Sequence, residues 1–295
     1  MVTMVNIGIN GFGRIGRMCL RAYYESCPKY RNIRITYIND LSDKNTNIHL
    51  LKYDSIHGNF PIDINILDQG IEINGDKINM ISEPDPEKIN WAQKGVDLVF
   101  ECSGRFTQKS DAEKHIKAGA KKIIISAPSE GADITVVFGI NHNNIQSQHK
   151  FISNGSCTTN CLAPIAYLIH NNFGIECGFM TTIHSYTGDQ RLIDTYHKDL
   201  RRARSAPLSI IPSSTGAAKA IGLVIPELKG KLDGTSIRVP TSNVSMIDLK
   251  CNLLNPASID ALNQIMKDAS ETNLQGILRY NNEPLVSCDF NHSTA

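Results

Sequence analysis

Short β-branched runs alternate with helical patterns along the first half of the chain. Residues 5–9 predict a strand, 15–25 a helix, 33–38 a strand and 45–51 a second helix. Residues 96–101, 109–118 and 122–126 continue the series as strand, helix and strand. Strands separated by helices of about ten residues are the pattern of a parallel sheet in an α/β fold. Residues 60–80 break the rhythm: polar and apolar positions alternate around Asn74-Gly75, which predicts an antiparallel hairpin. The texture changes after Ser156. A long helix over 158–171 is followed by a strand over 179–185, a polar and basic loop, and alternating strands at 238–239, 244–251 and 285–290. This second half reads as an α+β domain. No repeat and no low-complexity stretch appears.

Composition narrows the picture. The chain has 295 residues, long for one core and comfortable for two. With 41% hydrophobic and 20% charged residues it is expected to pack. Its net charge of +1 argues against a nucleic-acid surface. No apolar run approaches the roughly 18 residues that a membrane helix needs. The first residues run directly into a strand pattern without a basic leader, so a cytoplasmic location is expected. The 8 cysteines are scattered, with no CxxC pair. Reduced thiols are expected, and no metal site at zinc-ligand spacing.

Ile9-Asn10-Gly11-Phe12-Gly13-Arg14-Ile15-Gly16 is a GxGxxG turn between a predicted strand and helix. The first glycine permits the tight turn, the second lets backbone approach a pyrophosphate, and the third lets helix and strand pack closely. The diphosphate would then sit on the helix N-terminus, where free N–H groups favour an anion. Asp40 ends the second strand, 24 residues after Gly16, where a carboxylate would bind ribose hydroxyls and repel a 2′-phosphate. NAD is therefore the expected cofactor. An ordinary structural turn is the alternative. The expected fold is α/β: a Rossmann-type doubly wound parallel sheet over residues 1–156, then an α+β catalytic domain with a mainly antiparallel sheet over 157–295.

Ser156-Cys157-Thr158-Thr159-Asn160-Cys161 opens the long helix. A thiol in a first helical turn feels the positive end of the dipole, which favours thiolate. Cys161 lies one turn on, leaving a redox pair, a nucleophile with a buried neighbour, or two small core residues as readings. Among 9 histidines, His184 closes an apolar strand and leads into a polar loop, as suits a base facing a cleft; His57 and His197 are its rivals. The short basic run from Lys198 to Arg204 is either a solvated surface or a phosphate-holding loop.

These motifs resemble phosphorylating glyceraldehyde-3-phosphate dehydrogenase. The likeness is carried by the glycine-rich turn through Arg17, by Ser153 to Cys161, and by Ile183-His184-Ser185-Tyr186-Thr187-Gly188-Asp189-Gln190. It extends through Ser214-Thr215-Gly216-Ala217-Ala218-Lys219, Pro226 to Leu232, and Arg238-Val239-Pro240-Thr241, and so covers the whole chain. The resemblance implies oxidation of D-glyceraldehyde 3-phosphate with NAD and inorganic phosphate through a cysteine thioester, a step of glycolysis and gluconeogenesis. It implies that Cys157 is the nucleophile and His184 the base. It implies that Thr187 and Arg238 hold the substrate's phosphate, and that Ser156, Thr158, Thr215, Gly216 and Arg202 hold the attacking phosphate. Asp40, Ser103 and Ser126 match cofactor-contacting positions beside Asn10, Gly11, Phe12, Gly13, Arg14, Ile15 and Gly16. A homotetramer is implied, with the loop around residues 189–204 between subunits, and neither nucleic acid nor membrane as partner.

The chain departs from the family pattern at Gly155, where Ala is usual, at Thr195-Tyr196 in place of Leu-Pro, and at Ser242 in place of Pro. Family chains also continue some tens of residues past Ala295, so the resemblance implies a C-terminally truncated, functionally impaired chain. Erythrose-4-phosphate dehydrogenase is the nearest alternative, favoured by Asp194-Thr195-Tyr196-His197. A non-catalytic binding protein on the same scaffold is the alternative of another class.

Overall fold

A computed structural model describes residues 4–26 and 32–295. They divide into two compact units, one of the described residues within 1–135 and 145–155, the other of 136–144 and 156–295. No helix among the described residues is long and apolar enough to cross a membrane.

The first unit begins with β1 (Val5–Asn10), α1 (Arg14–Glu25), β2 (Ile33–Asn39) and α2 (Lys44–Lys52). The short pair β3 (Tyr53–Asp54) and β4 (Gly58–Asn59) follows, then β5 (Ile64–Leu67), β6 (Gly70–Ile73) and β7 (Asp76–Ile81). It closes with β8 (Leu98–Glu101), α3 (Lys109–Lys117), β9 (Lys122–Ile125), β10 (Ile134–Thr135) and β11 (Phe151–Ser153). Nine strands form one sheet in the order β10-β11-β9-β8-β1-β2-β7-β6-β5. Strands from β10 to β7 pair in parallel, and β7, β6 and β5 pair antiparallel. The interruption expected over 60–80 is thus a three-stranded extension of the sheet.

Helix α1 buries Gly16, Arg17, Leu20, Arg21 and Tyr24, a stripe at helical spacing. It packs with Ile7, Ile9, Ile35 and Ile38 of the adjacent parallel strands. A Cβ on Gly16 would collide with the Gly11 carbonyl, so the close packing of helix on strand requires glycine there. Strand order reverses between β1 and β8, and in such sheets ligands bind beyond the carboxyl ends at the reversal. Gly11, Asp40, Ser103 and Ser126 all lie just past strand ends of this kind.

The second unit contains α4 (Cys157–Phe173), β12 (Ile175–Ser185), β13 (Ile211–Ser214), α5 (Ile221–Val224), β14 (Leu232–Val239), β15 (Met246–Leu253) and α6 (Ile259–Glu271). Its sheet runs β13-β14-β12-β15, with β12 and β14 parallel and the other two pairs antiparallel. Leu162, Ala163, Ala166 and Ile169 of α4 form its core with Ile175, Met180 and Leu232 of the sheet.

The segment 285–290, expected as a strand, is not one. Residues 281–290 are exposed, and Ser287–Phe290 form a 3₁₀ turn. Asp289 accepts from the Val286 amide at 2.7 Å, a local bond that takes the donor a sheet ladder would use. The strand expected from Val244 starts instead at Met246, because Val244 has a left-handed backbone with φ of 61°.

Candidate active site

Helix α4 starts at the thiol for reasons local to the sequence. Ser156 has extended backbone, and its hydroxyl accepts from the Thr159 amide at 3.0 Å, an N-cap worth about 1 kcal/mol. Gly155 reaches that cap with φ of 65°, a left-handed conformation that glycine adopts without penalty. Thr159 Oγ1 donates to the Ala217 carbonyl at 3.3 Å, tying the turn of Thr215 and Gly216 to the start of the helix. Cys157 is the first helical residue and is exposed.

Cys157 Sγ lies 3.1 Å from His184 Nε2. His184 sits near the end of β12 and is only 6% exposed. Burial pushes the Cys157 thiol up, but the His184 contact and the Thr158 hydroxyl and amide outweigh it, leaving the pKa below the ordinary thiol value. Cys161 is also exposed rather than a core residue. Its pKa is raised by partial desolvation and by the charge on Cys157. Iodoacetamide should therefore label Cys157 well before Cys161, with a rate that levels off at a pH below that of a free thiol. Peptide mass mapping over a pH series reads both; equal labelling of the two would remove Cys157 from the nucleophile's place.

The register of the second sheet supplies the rest. His184 on β12 and Arg238 on β14 are paired positions of two parallel strands. Arg238 Nη1 lies 2.7 Å from His184 Nδ1 and donates to the Ser185 carbonyl at 3.0 Å. The same carbonyl is 2.7 Å from His184 Nδ1. Ser245, next to the strained Val244, accepts from the Ser185 amide at 3.2 Å and so fixes this peptide. Arg202 donates to Ser213 Oγ at 2.6 Å and to Asp189 at 2.6 Å. Burial and the nearby Arg202 charge both lower the pKa of Arg238.

Two histidines left open by the sequence are now placed. His197 Nδ1 accepts from the Asp199 amide at 2.9 Å and its Nε2 faces Asp189 at 3.3 Å, a role in the loop that carries Arg202. His57 belongs to the other unit. Thr187 and Gly216 are exposed, Thr158 is buried, and Thr215 Oγ1 accepts from the Ala217 amide at 3.2 Å.

In the first unit, residues Asn10, Gly11, Gly13, Asp40 and Ser103 line a cleft of about 310 Å³. Gly13 caps α1 without a side-chain bond, and a Cβ there would meet nothing within 4 Å. The approach to the helix start beside Gly13 is thus open, as an anion would require. Asp40 accepts from the Phe12 amide at 2.7 Å and the Ser42 amide at 2.9 Å. Burial opposes its charge, but these bonds and Asn47 prevail and hold its pKa below the usual carboxylate value. Phe12 itself is a core side chain, Arg14 pairs with Asp54, Ile15 is exposed, and Ser126 Oγ donates to the Glu101 carbonyl at 3.0 Å.

Sequence reasoning missed the support beneath this cleft. Glu101 is 1% exposed and accepts from Asn10 at 2.6 Å and from the Ser103 amide at 2.7 Å. Trp91 Nε1 donates to His115 Nδ1 at 2.9 Å, so His115 is left with its proton on Nε2, 3.0 Å from Glu101. The signal available was a Glu closing an apolar strand, which a buried carboxylate must repay with several donors.

Residues 5–109 match the family model "Glyceraldehyde 3-phosphate dehydrogenase, NAD binding domain", and 156–295 match "Glyceraldehyde 3-phosphate dehydrogenase, C-terminal domain". A protein of Geobacillus stearothermophilus named glyceraldehyde-3-phosphate dehydrogenase is 53% identical over 98% of this chain and 86% of its own length. A plasmid-borne one of Cupriavidus necator is 50% identical over 99% of this chain and 87% of its own. One from Bacillus subtilis is 50% identical over 97% and 85%.

Proposed function

The chain belongs to the glyceraldehyde 3-phosphate dehydrogenase family, and on that premise we propose how its residues carry the reaction. It is an NAD-dependent oxidoreductase that converts D-glyceraldehyde 3-phosphate and inorganic phosphate to 1,3-bisphosphoglycerate, a glycolytic step. The observation that carries the assignment of roles is the 3.1 Å contact of Cys157 Sγ with His184 Nε2 at the start of α4.

The Cys157 thiolate adds to the aldehyde carbon, forming a hemithioacetal. His184 Nε2 takes the hydroxyl proton as that carbon is oxidised to the thioester. NAD, when bound, supplies the hydride acceptor. Amides at the start of α4 stabilise the oxyanion. Inorganic phosphate then attacks the thioester, the C–S bond breaks, the thiolate is restored and the acyl phosphate leaves. Thr187 and Arg238 are assigned to the substrate's phosphate. Ser156, Thr158, Thr215, Gly216 and Arg202 are assigned to the attacking one, a reading supported by the tie between Thr159 and the Ala217 carbonyl. The open helix start at Gly13 fits the cofactor's diphosphate, with Asn10, Gly11, Phe12, Arg14, Ile15, Gly16, Ser103 and Ser126 around it.

Reduced cofactor should appear when the protein is given D-glyceraldehyde 3-phosphate, NAD and inorganic phosphate, and should stop after about one equivalent per site when phosphate is left out. Preference for erythrose 4-phosphate, or no turnover at all, would revive the two alternatives, which the relatives and the Cys157–His184 contact do not favour. Asp40 remains charged beside the expected ribose site, so NAD should be strongly preferred. Asp40→Ala should narrow the NAD-to-NADP ratio of kcat/KM by at least about tenfold, since like charges in contact cost several kcal/mol. Equal use of both cofactors by the unaltered protein would refute that role.

A homotetramer is part of the same reading. Leu192, Ile193, Tyr196, Leu200, Leu208 and Ile210 are each at least 70% exposed in this chain, an apolar run that suits contact with another copy. Light scattering reads the assembly directly. A cytoplasmic setting fits the free thiols of the described cysteines.

A further inference from the structure

Beneath the cleft of the first unit the hydrogen bonds form a directed chain, and its direction is set by groups that have no choice. Trp91 Nε1 can only donate, and it donates to His115 Nδ1 at 2.9 Å. That nitrogen is therefore a bare lone pair, and His115 Nε2 carries the ring hydrogen, 3.0 Å from Glu101 Oε2. Asn10 Nδ2 donates to the same oxygen at 2.6 Å. The other oxygen, Oε1, accepts from the Ser103 amide at 2.7 Å and from the Ser103 hydroxyl. Four donors thus meet one carboxylate, which as an anion offers about four lone-pair sites.

The chain goes on past Asn10. With Nδ2 turned to Glu101, its Oδ1 accepts from Asn39 Nδ2 at 2.7 Å. Asn39 Nδ2 also donates to the Glu83 carbonyl at 2.9 Å, and Asn39 Oδ1 accepts from the Glu83 amide at 2.8 Å. None of Trp91, His115, Glu101, Asn10 and Asn39 is more than 4% exposed, so a group left unmatched there bears the cost of its desolvation. Both ends of the chain reach the cleft, which Asn10, Asn39, Glu83 and Ser103 all line. Gly11 packs so closely on Ser103 that a Cβ would collide with the Ser103 amide nitrogen. Glu101 holds both sides of that contact: Ser103 by its amide, and Asn10, the residue before Gly11, by its side chain.

We propose that Glu101 is the positioning residue of the cofactor cleft, and that the chain from Trp91 to Glu83 holds the glycine turn and the facing wall in the shape that NAD fits. This rests on the reading of this cleft as the cofactor site. Glu101→Gln exposes the mechanism, because it exchanges one oxygen for an NH2 group at almost constant size. In the place of Oε1, the NH2 meets the Ser103 amide, a backbone donor that cannot turn. In the place of Oε2, it meets the hydrogens of His115 Nε2 and Asn10 Nδ2. His115 cannot move its hydrogen while Trp91 donates to Nδ1. Asn10 can turn its amide over, but its NH2 then faces that of Asn39. Asn39 can turn in its place, and its oxygen then faces the Glu83 carbonyl while its NH2 faces the Glu83 amide. The mismatch has no exit within the chain, and it is delivered to the walls of the cleft.

Isothermal titration calorimetry with NAD reads this without turnover. Glu101→Gln should raise the Kd for NAD at least about tenfold, on the scale of buried donors left unmatched. At saturating NAD, its kcat and its KM for D-glyceraldehyde 3-phosphate should stay within about threefold of the parent, because the chain touches neither Cys157 nor His184. A substitution that merely loosened the fold would lower the melting temperature and leave the Kd of the folded protein unchanged. Asn39→Ala breaks the chain at its far end and should weaken NAD binding as well, so it carries the test alone if Glu101→Gln does not fold. The double variant should bind NAD about as weakly as the weaker single one, since both act through one chain. Losses that multiply in the double variant, or an NAD Kd that neither single variant changes, overturn the positioning role. A ratio of NAD to NADP affinity left unchanged by Asp40→Ala, a residue of the cleft outside the chain, would instead overturn the cleft as the cofactor site, whatever Glu101→Gln does.

Discussion

Cys157→Ser should bind NAD normally and lose at least about 10⁴-fold in turnover, on the scale of removing an enzymatic nucleophile. The substitution removes only sulfur, and the α4 cap is made by Ser156 and Thr159, so the fold around the site should persist. The loss is chemical. A serine hydroxyl at that helix start does not ionise near neutral pH, so the preformed anionic nucleophile is lost. The clean measurement is the single-turnover burst of reduced cofactor, which should vanish, with circular dichroism and NAD titration as controls for folding. A variant that retains a burst within tenfold of the parent would place the nucleophile elsewhere.

His184→Asn should slow the oxidation step by about 10²–10⁴-fold, the usual range for a lost general base. It should also slow alkylation of Cys157 near neutral pH, because the His184 contact is the main influence that lowers the thiol's pKa. The signs are linked: without that contact, burial is left to push the thiol up, and less thiolate is present at a given pH. KM should change little, since the ring touches the thiol, Ser185 and Arg238 rather than a substrate-binding surface of its own. A variant with weakened substrate affinity and intact turnover would make His184 a binding residue. His197 could not simply take its place, being held by Asp189 and Asp199.

Much of this was legible in the sequence, for identifiable reasons. The parallel sheet was readable because each β-branched run and each amphipathic helix is long enough to display its period, as in β1, α1 and β2. The helix start at Cys157 is marked by the cap Ser156, but position alone leaves a redox pair or a core thiol open, and the nucleophile's role rests on the resemblance. Strand 285–290 was misread because alternation describes a strand only where an edge is available to pair with it, and Asp289 closes a turn instead. Helix α6 leaves a weaker mark although Ser258 caps it, because only Ala269 of its residues is buried. β13 was hidden by Pro212, which lacks an amide to offer the ladder. The contact of Arg238 with His184 had no sequence signal at all. It depends on the parallel register of two strands 54 residues apart, and a shift by one position would turn the arginine to the other face.

The buried Trp91 has a use unconnected with catalysis. It is the chain's only tryptophan, fully enclosed, bonded to His115, and situated in the first unit. Its emission therefore watches one half of the molecule, whereas far-ultraviolet circular dichroism averages over both. Denaturant curves followed by the two signals superimpose only if the halves melt together. Where they separate, the fluorescence curve is the melting curve of the first unit by itself, obtained without cutting the chain or adding a label.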